Sequence, residues 1–186
     1  MEDIDFYLED AEESMGKAIE HTEHELSKIR AGKAMPSLVD GIMVEYYGSP
    51  TPLSQVASVS TPDARTLTIK PWEKTILPEI EKAIMNSDLG LNPQNDGDIV
   101  RLNIPILTEE RRIDLVKQAK HEAENGKISV RNIRKDANDH IKKLLKEGVS
   151  EDAVKNAEMD VQEKTNKYIK KIDDILTKKE KDIMTV

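Results

Sequence analysis

Cysteine is absent from the 186 residues, which removes disulfides and thiolate metal sites from consideration. Aromatic residues make up only 3% against 34% charged residues, a balance that favours amphipathic helices with charged outer faces. No apolar run approaches the length of a membrane span, and the opening MEDIDFYLED lacks the pattern of a signal peptide, so a soluble cytoplasmic protein is expected. The nucleotide-binding patterns G-x-x-x-x-G-K-S/T and G-x-G-x-x-G after a strand are also missing, so the chain is not expected to hold a nucleotide itself. Positive charge is in the minority, with a formal net charge of -8. By its sum alone that argues against a nucleic-acid partner, but the distribution of charge decides more than the total.

What is present is periodicity. Ile4, Leu8, Ala11, Met15, Ala18, Thr22, Leu26 and Ile29 recur in the three-four alternation of a heptad seam on a long first helix. That helix is strongly acidic, with Glu2, Asp3, Asp5, Glu9, Asp10, Glu12, Glu13, Glu20, Glu23 and Glu25 set against Lys17 and Lys28. It stops at RAGKAMP, where Gly32 and Pro36 break the pattern. LVDGIMVEYY, TLTIK and DIVRLNIP then read as β-structure, while KTILPEIEKAIMNS reads as a short helix with Pro78 in its first turn. YGSPTP, TPDART and NPQNDGD carry turn chemistry.

Helix returns after PILTEERR, with Thr108 in the N-cap position. Val116, Ala119, Ala123, Gly126, Val130, Ile133, Ala137, Ile141 and Leu144 form its seam, over about 40 residues or roughly 60 Å. Gly148 and Ser150 supply a C-cap and the next N-cap. A third helix follows through Val154, Ala157, Val161, Thr165, Tyr168, Ile172 and Ile175. Three helices with matching seams predict an elongated three-helix bundle of residues 1–30 and 107–186, with residues 31–106 inserted as a small α/β unit. The chain crosses between them at Ala31, Gly32, Pro105 and Ile106, where Gly and Pro point to a hinge.

Charge on the second long helix is arranged unevenly. At about 100° per residue, Lys127, Arg131, Arg134 and Asn138 share one narrow sector away from the apolar seam. Lys127 has Glu124 at helical spacing, and Lys135, Lys142 and Lys143 have Asp139. Arg131 and Arg134 have no acidic residue three or four positions away. Two readings follow. Their guanidinium groups bond acids of the first or third helix, or they project outward to meet phosphate, where the planar fork of Arg excels. With few aromatics nearby, the second reading favours the backbone of structured RNA over base stacking.

The remaining chemistry is sparse. His21 and His24 share a helix face beside Glu20 and Glu25, which reads as a solvated polar face more readily than as a metal clip. His121 and His140 have no catalytic constellation around them. NPQNDGDIVRLN fails the calcium-loop pattern because Asn103 falls where the bidentate Glu belongs. Trp72 is expected to pack in a core, and Met15, Met43 and Met85 on apolar faces. A protein scaffold that binds acidic or helical partners remains the rival to an RNA-binding factor, and a metal-dependent hydrolase built on His21 and His24 is the remotest reading.

The stretches SKIRAGKAMPSLVDGIMVEYYGSPTPLSQVASVSTPDARTL, IEKAIMNSDLGLNPQNDGDIVRLNIPILTEERR, VRNIRKDAND and KYIKKIDDILTKKEKDIM resemble the bacterial ribosome recycling factor family, and the likeness covers nearly the whole chain. It implies an α+β protein, L-shaped and near transfer RNA in outline, with a three-helix bundle and an inserted β/α/β domain. It implies a monomeric, non-enzymatic factor that binds ribosomal RNA of the large subunit after termination. Elongation factor G, which itself uses the GTP, would then drive subunit splitting and release of messenger RNA and deacylated transfer RNA. The family's important arginines fall on Arg30, Arg112, Arg131 and Arg134, which with Lys127 form the expected RNA-binding set. No metal, cofactor or membrane is implied. Lys33 and Lys135 stand where Arg is common in the family, and Gly126 where a helix former is usual. Glycine there costs up to about 1 kcal/mol, which suggests local flexibility or a close helix approach.

Overall fold

The computed structural model describes residues 2–185, and the side chains of residues 3–185. The elements run α1 (Glu2–Ser27), β1 (Met43–Tyr46), β2 (Ser49–Pro52), α2 (Leu53–Val56), β3 (Ala57–Asp63), β4 (Thr66–Pro71), α3 (Leu77–Met85), β5 (Pro93–Asn95), β6 (Val100–Asn103), α4 (Glu109–Lys143) and α5 (Glu151–Met184). Two compact units result. One holds the residues up to Ala31 and those from Glu109 onward; the other is Gly32–Thr108.

In the helical unit, the three-four apolar spacing turns one stripe of each helix inward. Ile4, Ala11, Ala137, Ile141, Leu144, Val154, Ala157 and Val161 make one buried cluster, and Met15, Ala123, Val130, Tyr168 and Ile172 make a second. α1 ends two residues short of the last seam position; Lys28 and Ile29 donate to Glu25 and Leu26 in a tightened turn, and Ile29 stays buried. α4 has 35 residues and then tightens into a 3₁₀ turn, Leu144–Glu147. Gly148 closes it at φ 92°, and its successor Val149 donates to Leu144. Ser150 then caps α5 by accepting from the amide of Ala153. At Gly126 the seam carries no side chain, and Thr22 of α1 fills the space.

The second unit is a four-stranded antiparallel sheet, ordered β3-β4-β6-β5, with a separate β1-β2 hairpin. Leu67, Ile69, Val100 and Leu102 project from the sheet to meet Ile76, Leu77, Ile80 and Ile84 from around α3. Pro78 lies in the first turn of α3, where its missing N–H is tolerated. Three strands fall where turns were expected or where nothing was predicted: β2 is SPTP, β3 is ASVSTPD and β5 begins at Pro93. The Gly97 segment is the turn of the β5-β6 hairpin, as predicted, with Gly97 at φ 90° donating to Asn95 Oδ1. Trp72 does not pack in a core: it is 67% exposed, because β4 has just ended and the ring points off the unit's surface. Met43 and Met85 are likewise exposed, whereas Met15 is fully buried.

Candidate nucleic-acid interface

The polar sector of α4 lies beside α5, and each of its cations meets a different environment. Lys127 does not pair with Glu124. Its side chain, only 18% exposed, forms an ion pair with Asp173 of α5. Glu124 is instead taken by Arg131, whose Nη1 donates to Oε1 at 2.9 Å. The two residues are seven positions apart, about 10 Å along the axis, a span that two extended side chains bridge. Arg131 is therefore not free of the protein's own acids, contrary to the spacing argument, which stopped at one turn.

Arg134 differs. It is half-buried, and its Nη1 donates at 3.0 Å to the amide Oε1 of Gln162 on α5. Gln162 in turn donates through Nε2 to Asn166 Oδ1 at 2.8 Å. Among the described residues no carboxylate pairs with Arg134. Asn138, the last member of the sector, is half-buried with its Oδ1 enclosed and without a hydrogen-bond partner. Among the described residues, the partners of these cations come from α4 and α5 and none from the acidic α1.

The other expected contacts are scattered. Arg30 is exposed in the coil after α1 and makes no hydrogen bond or ion pair among the described residues. Arg112, in the first turn of α4, donates through Nη1 to the carbonyls of Ile183 at 2.7 Å and Thr185 at 3.3 Å. It thereby caps the C-terminal end of α5, where carbonyls lack helical partners. Asp139 pairs with none of Lys135, Lys142 and Lys143; Lys142 reaches Glu158 of α5 at 3.2 Å instead. Sequence spacing within α4 could not reveal Gln162, Asn166 and Asp173, although the four-residue step from Gln162 to Asn166 marks one polar face of α5.

At the chain crossings, Gly32 adopts φ 70°, and a Cβ placed there would come within 2.5 Å of Leu107 Cγ. Ala34 donates to Ala64, and Ile104 to Arg65, so both crossing segments are tied to the turn between β3 and β4. Ala31 is half-buried, while Pro105 and Ile106 are exposed. His21 and His24 are exposed, and no group of three or more potential metal ligands is assembled among the described residues. His140 stacks on Tyr7 at 5.2 Å, a packing contact between α4 and α1.

The family model described as Ribosome recycling factor matches residues 22–184. A ribosome-recycling factor of Cytophaga hutchinsonii is 60% identical over 186 residues, covering 100% of both chains. That of Flavobacterium johnsoniae is 59% identical over 185 residues, covering 100% of this chain and 99% of its own. A solution structure of a ribosome recycling factor aligns with TM-score 0.78 at 39% identity, covering 100% of both chains. A T. thermophilus ribosome recycling factor, in a structure with E. coli elongation factor G bound to the E. coli post-termination complex, aligns with TM-score 0.63 at 46% identity over 98% of this chain and 99% of that one. Full-length identity of this order, on a bundle and sheet unit of the same fold, leaves one conclusion: the chain belongs to the ribosome recycling factor family.

Proposed function

We propose that this chain binds the post-termination ribosome through large-subunit RNA and, with elongation factor G and GTP hydrolysis, separates the subunits and frees messenger RNA and deacylated transfer RNA. The observation that carries this reading is the 60% identity that runs the whole length of a ribosome-recycling factor. The chain itself performs no catalysis and needs no metal or cofactor; GTP belongs to the elongation factor. It works as a monomer in the cytoplasm. Arg134 is the central RNA contact, with Arg131 and the exposed Arg30 beside it in role. Lys127 and Arg112 act less directly, the first by holding α4 to α5 through Asp173 and the second by capping α5. Ala31, Gly32, Pro105 and Ile106 are the pivot, a role supported by the ties at Ala34 and Ile104, which confine bending to the few residues outside them.

The test uses purified post-termination ribosomes, elongation factor G and GTP, with subunit separation followed by light scattering. Adding the chain should cause a rapid fall in scattering that depends on both GTP and the elongation factor. A flat trace would overturn the function. Co-sedimentation with large subunits at graded salt should show affinity falling linearly on logarithmic axes, despite the net charge of -8.

A further inference from the structure

Two arginines three residues apart on α4 are held by acceptors of different charge. Arg131 faces the carboxylate of Glu124, and Arg134 faces the neutral amide of Gln162. α5 is rich in acids, with Glu158, Asp160 and Glu163 close by in sequence, yet its only glutamine meets Arg134. A carboxylate at that place would cancel the guanidinium's charge and would itself repel an incoming phosphate. An amide oxygen does neither. It occupies one of the five N–H donors of the guanidinium and leaves the rest, with the full positive charge, for another acceptor.

The amide is itself oriented. Because Nε2 of Gln162 donates to Asn166 Oδ1 at 2.8 Å, the oxygen end is turned toward Arg134. The three side chains thus form a relay from Asn166 through Gln162 to Arg134, across the groove between α5 and α4. We propose that Gln162 is a positioning residue that presents Arg134, still charged, to a phosphate of ribosomal RNA. This rests on the RNA-contacting role proposed above for Arg134. Holding a long side chain in place before binding reduces the freedom lost on binding, and a neutral holder does so without weakening the attraction.

The experiment titrates large ribosomal subunits across a salt series with the parent chain and with Gln162→Glu, Gln162→Ala, Arg134→Ala and the double variant Arg134→Ala/Gln162→Glu. Gln162 is exposed, so thermal melts of the single variants at that position should match the parent. Gln162→Glu is expected to lower affinity about tenfold and to flatten the slope by about one phosphate contact, as Arg134→Ala does. Gln162→Ala is expected to lose about threefold in affinity and keep the parent slope, because the charge remains. In the Arg134→Ala background, Gln162→Glu should add little. If Gln162→Ala binds as the parent does, or if Gln162→Glu weakens binding equally with and without Arg134, the positioning role is overturned. If Arg134→Ala itself keeps both affinity and slope, the failure lies instead in the assignment of Arg134 to RNA.

Discussion

At Gly126 an added Cβ would stand 2.3 Å from Thr22 Oγ1 and 3.1 Å from its Cγ2. Thr22 has little room to yield, since it is 2% exposed and its hydroxyl donates to Ala18 at 2.8 Å. Gly126→Ala would gain up to about 1 kcal/mol of helix propensity but meet an overpacking cost of about 1–3 kcal/mol. Chemical denaturation should therefore show a net loss of up to about 2 kcal/mol, partly recovered by Thr22→Ala in the same chain. A Gly126→Ala variant more stable than the parent would mean that α1 and α4 can move apart freely. The glycine could be singled out from sequence, because it interrupts a seam; its partner could not, because only packing brings Thr22 there. Arg131 offers the opposite case. Its partner is on its own helix, but two turns away, beyond the spacings at which helical pairs usually form. Exposed pairs of this kind are worth about 0–1 kcal/mol, so Glu124→Gln should release Arg131 at little cost to stability. Ribosome affinity at low salt should then rise about threefold, measured by co-sedimentation. Unchanged or weaker binding would count against Arg131 as an RNA contact.

The helices were largely legible because each carries its own stripe: the seam positions of α5 from Val154 to Ile172 are those the structure buries. The strands were less so. β2 contains Pro50 and Pro52 and β5 opens on Pro93, residues that local propensity assigns to turns. Both lie at an edge, β2 in a two-stranded hairpin and β5 at the end of the four-stranded order, where a missing N–H is tolerated. Their pairing is local, across tight turns, as with Tyr46 beside Ser49 and Pro93 beside Leu102, so it was the prolines, not distance along the chain, that hid them. In the candidate interface the same division holds: the sector of α4 was visible, but its neighbours on α5 were not. Arg112 shows an element-level consequence. Its hydrogen bonds to Ile183 and Thr185 tie the start of α4 to the end of α5, so Arg112→Ala should fray the last turn of α5. Hydrogen exchange should accelerate for amides in that turn, with a global loss of about 1–2 kcal/mol. Ribosome binding with an unchanged salt slope would agree with a capping role; unaltered exchange would refute it.

Across the whole molecule, acid and base are unevenly distributed, and acid is partly used to bind helices together. Glu12 of α1 pairs with Lys164 and, at 3.7 Å, Lys167 of α5. The hydrogen bond and charge of Lys164, then the charge of Lys167, hold the Glu12 carboxyl below its ordinary 4.5. A carboxyl lowered in the folded state stabilises the fold above its unfolded value and loses that contribution as pH falls through the folded one. Stability measured from pH 7 downward should thus fall more steeply below about 4.5 than in a Glu12→Gln chain, the two curves converging at the acid end. Parallel curves would exclude the tether.

The two units have separate apolar cores, joined by two short stretches of chain. Within the sheet unit the backbone bonds of Ala34 and Ile104 fasten those residues to the turn between β3 and β4, so the proposed pivot falls on Ala31, Gly32, Pro105 and Ile106 outside them. Pro105 restrains one stretch through its fixed φ, and Gly32 needs its positive φ in the other. Pro105→Ala loosens its stretch, while Gly32→Ala strains the backbone and presses on Leu107. If bending there transmits a push from the elongation factor, both variants should change the rate of subunit separation severalfold, in stopped-flow light scattering, while affinity for the large subunit stays near the parent's. Equal changes in rate and affinity would place the defect in docking, and no pivot would be needed. Unchanged rates in both variants would also dispose of it, because the push would then pass through chain that does not have to bend.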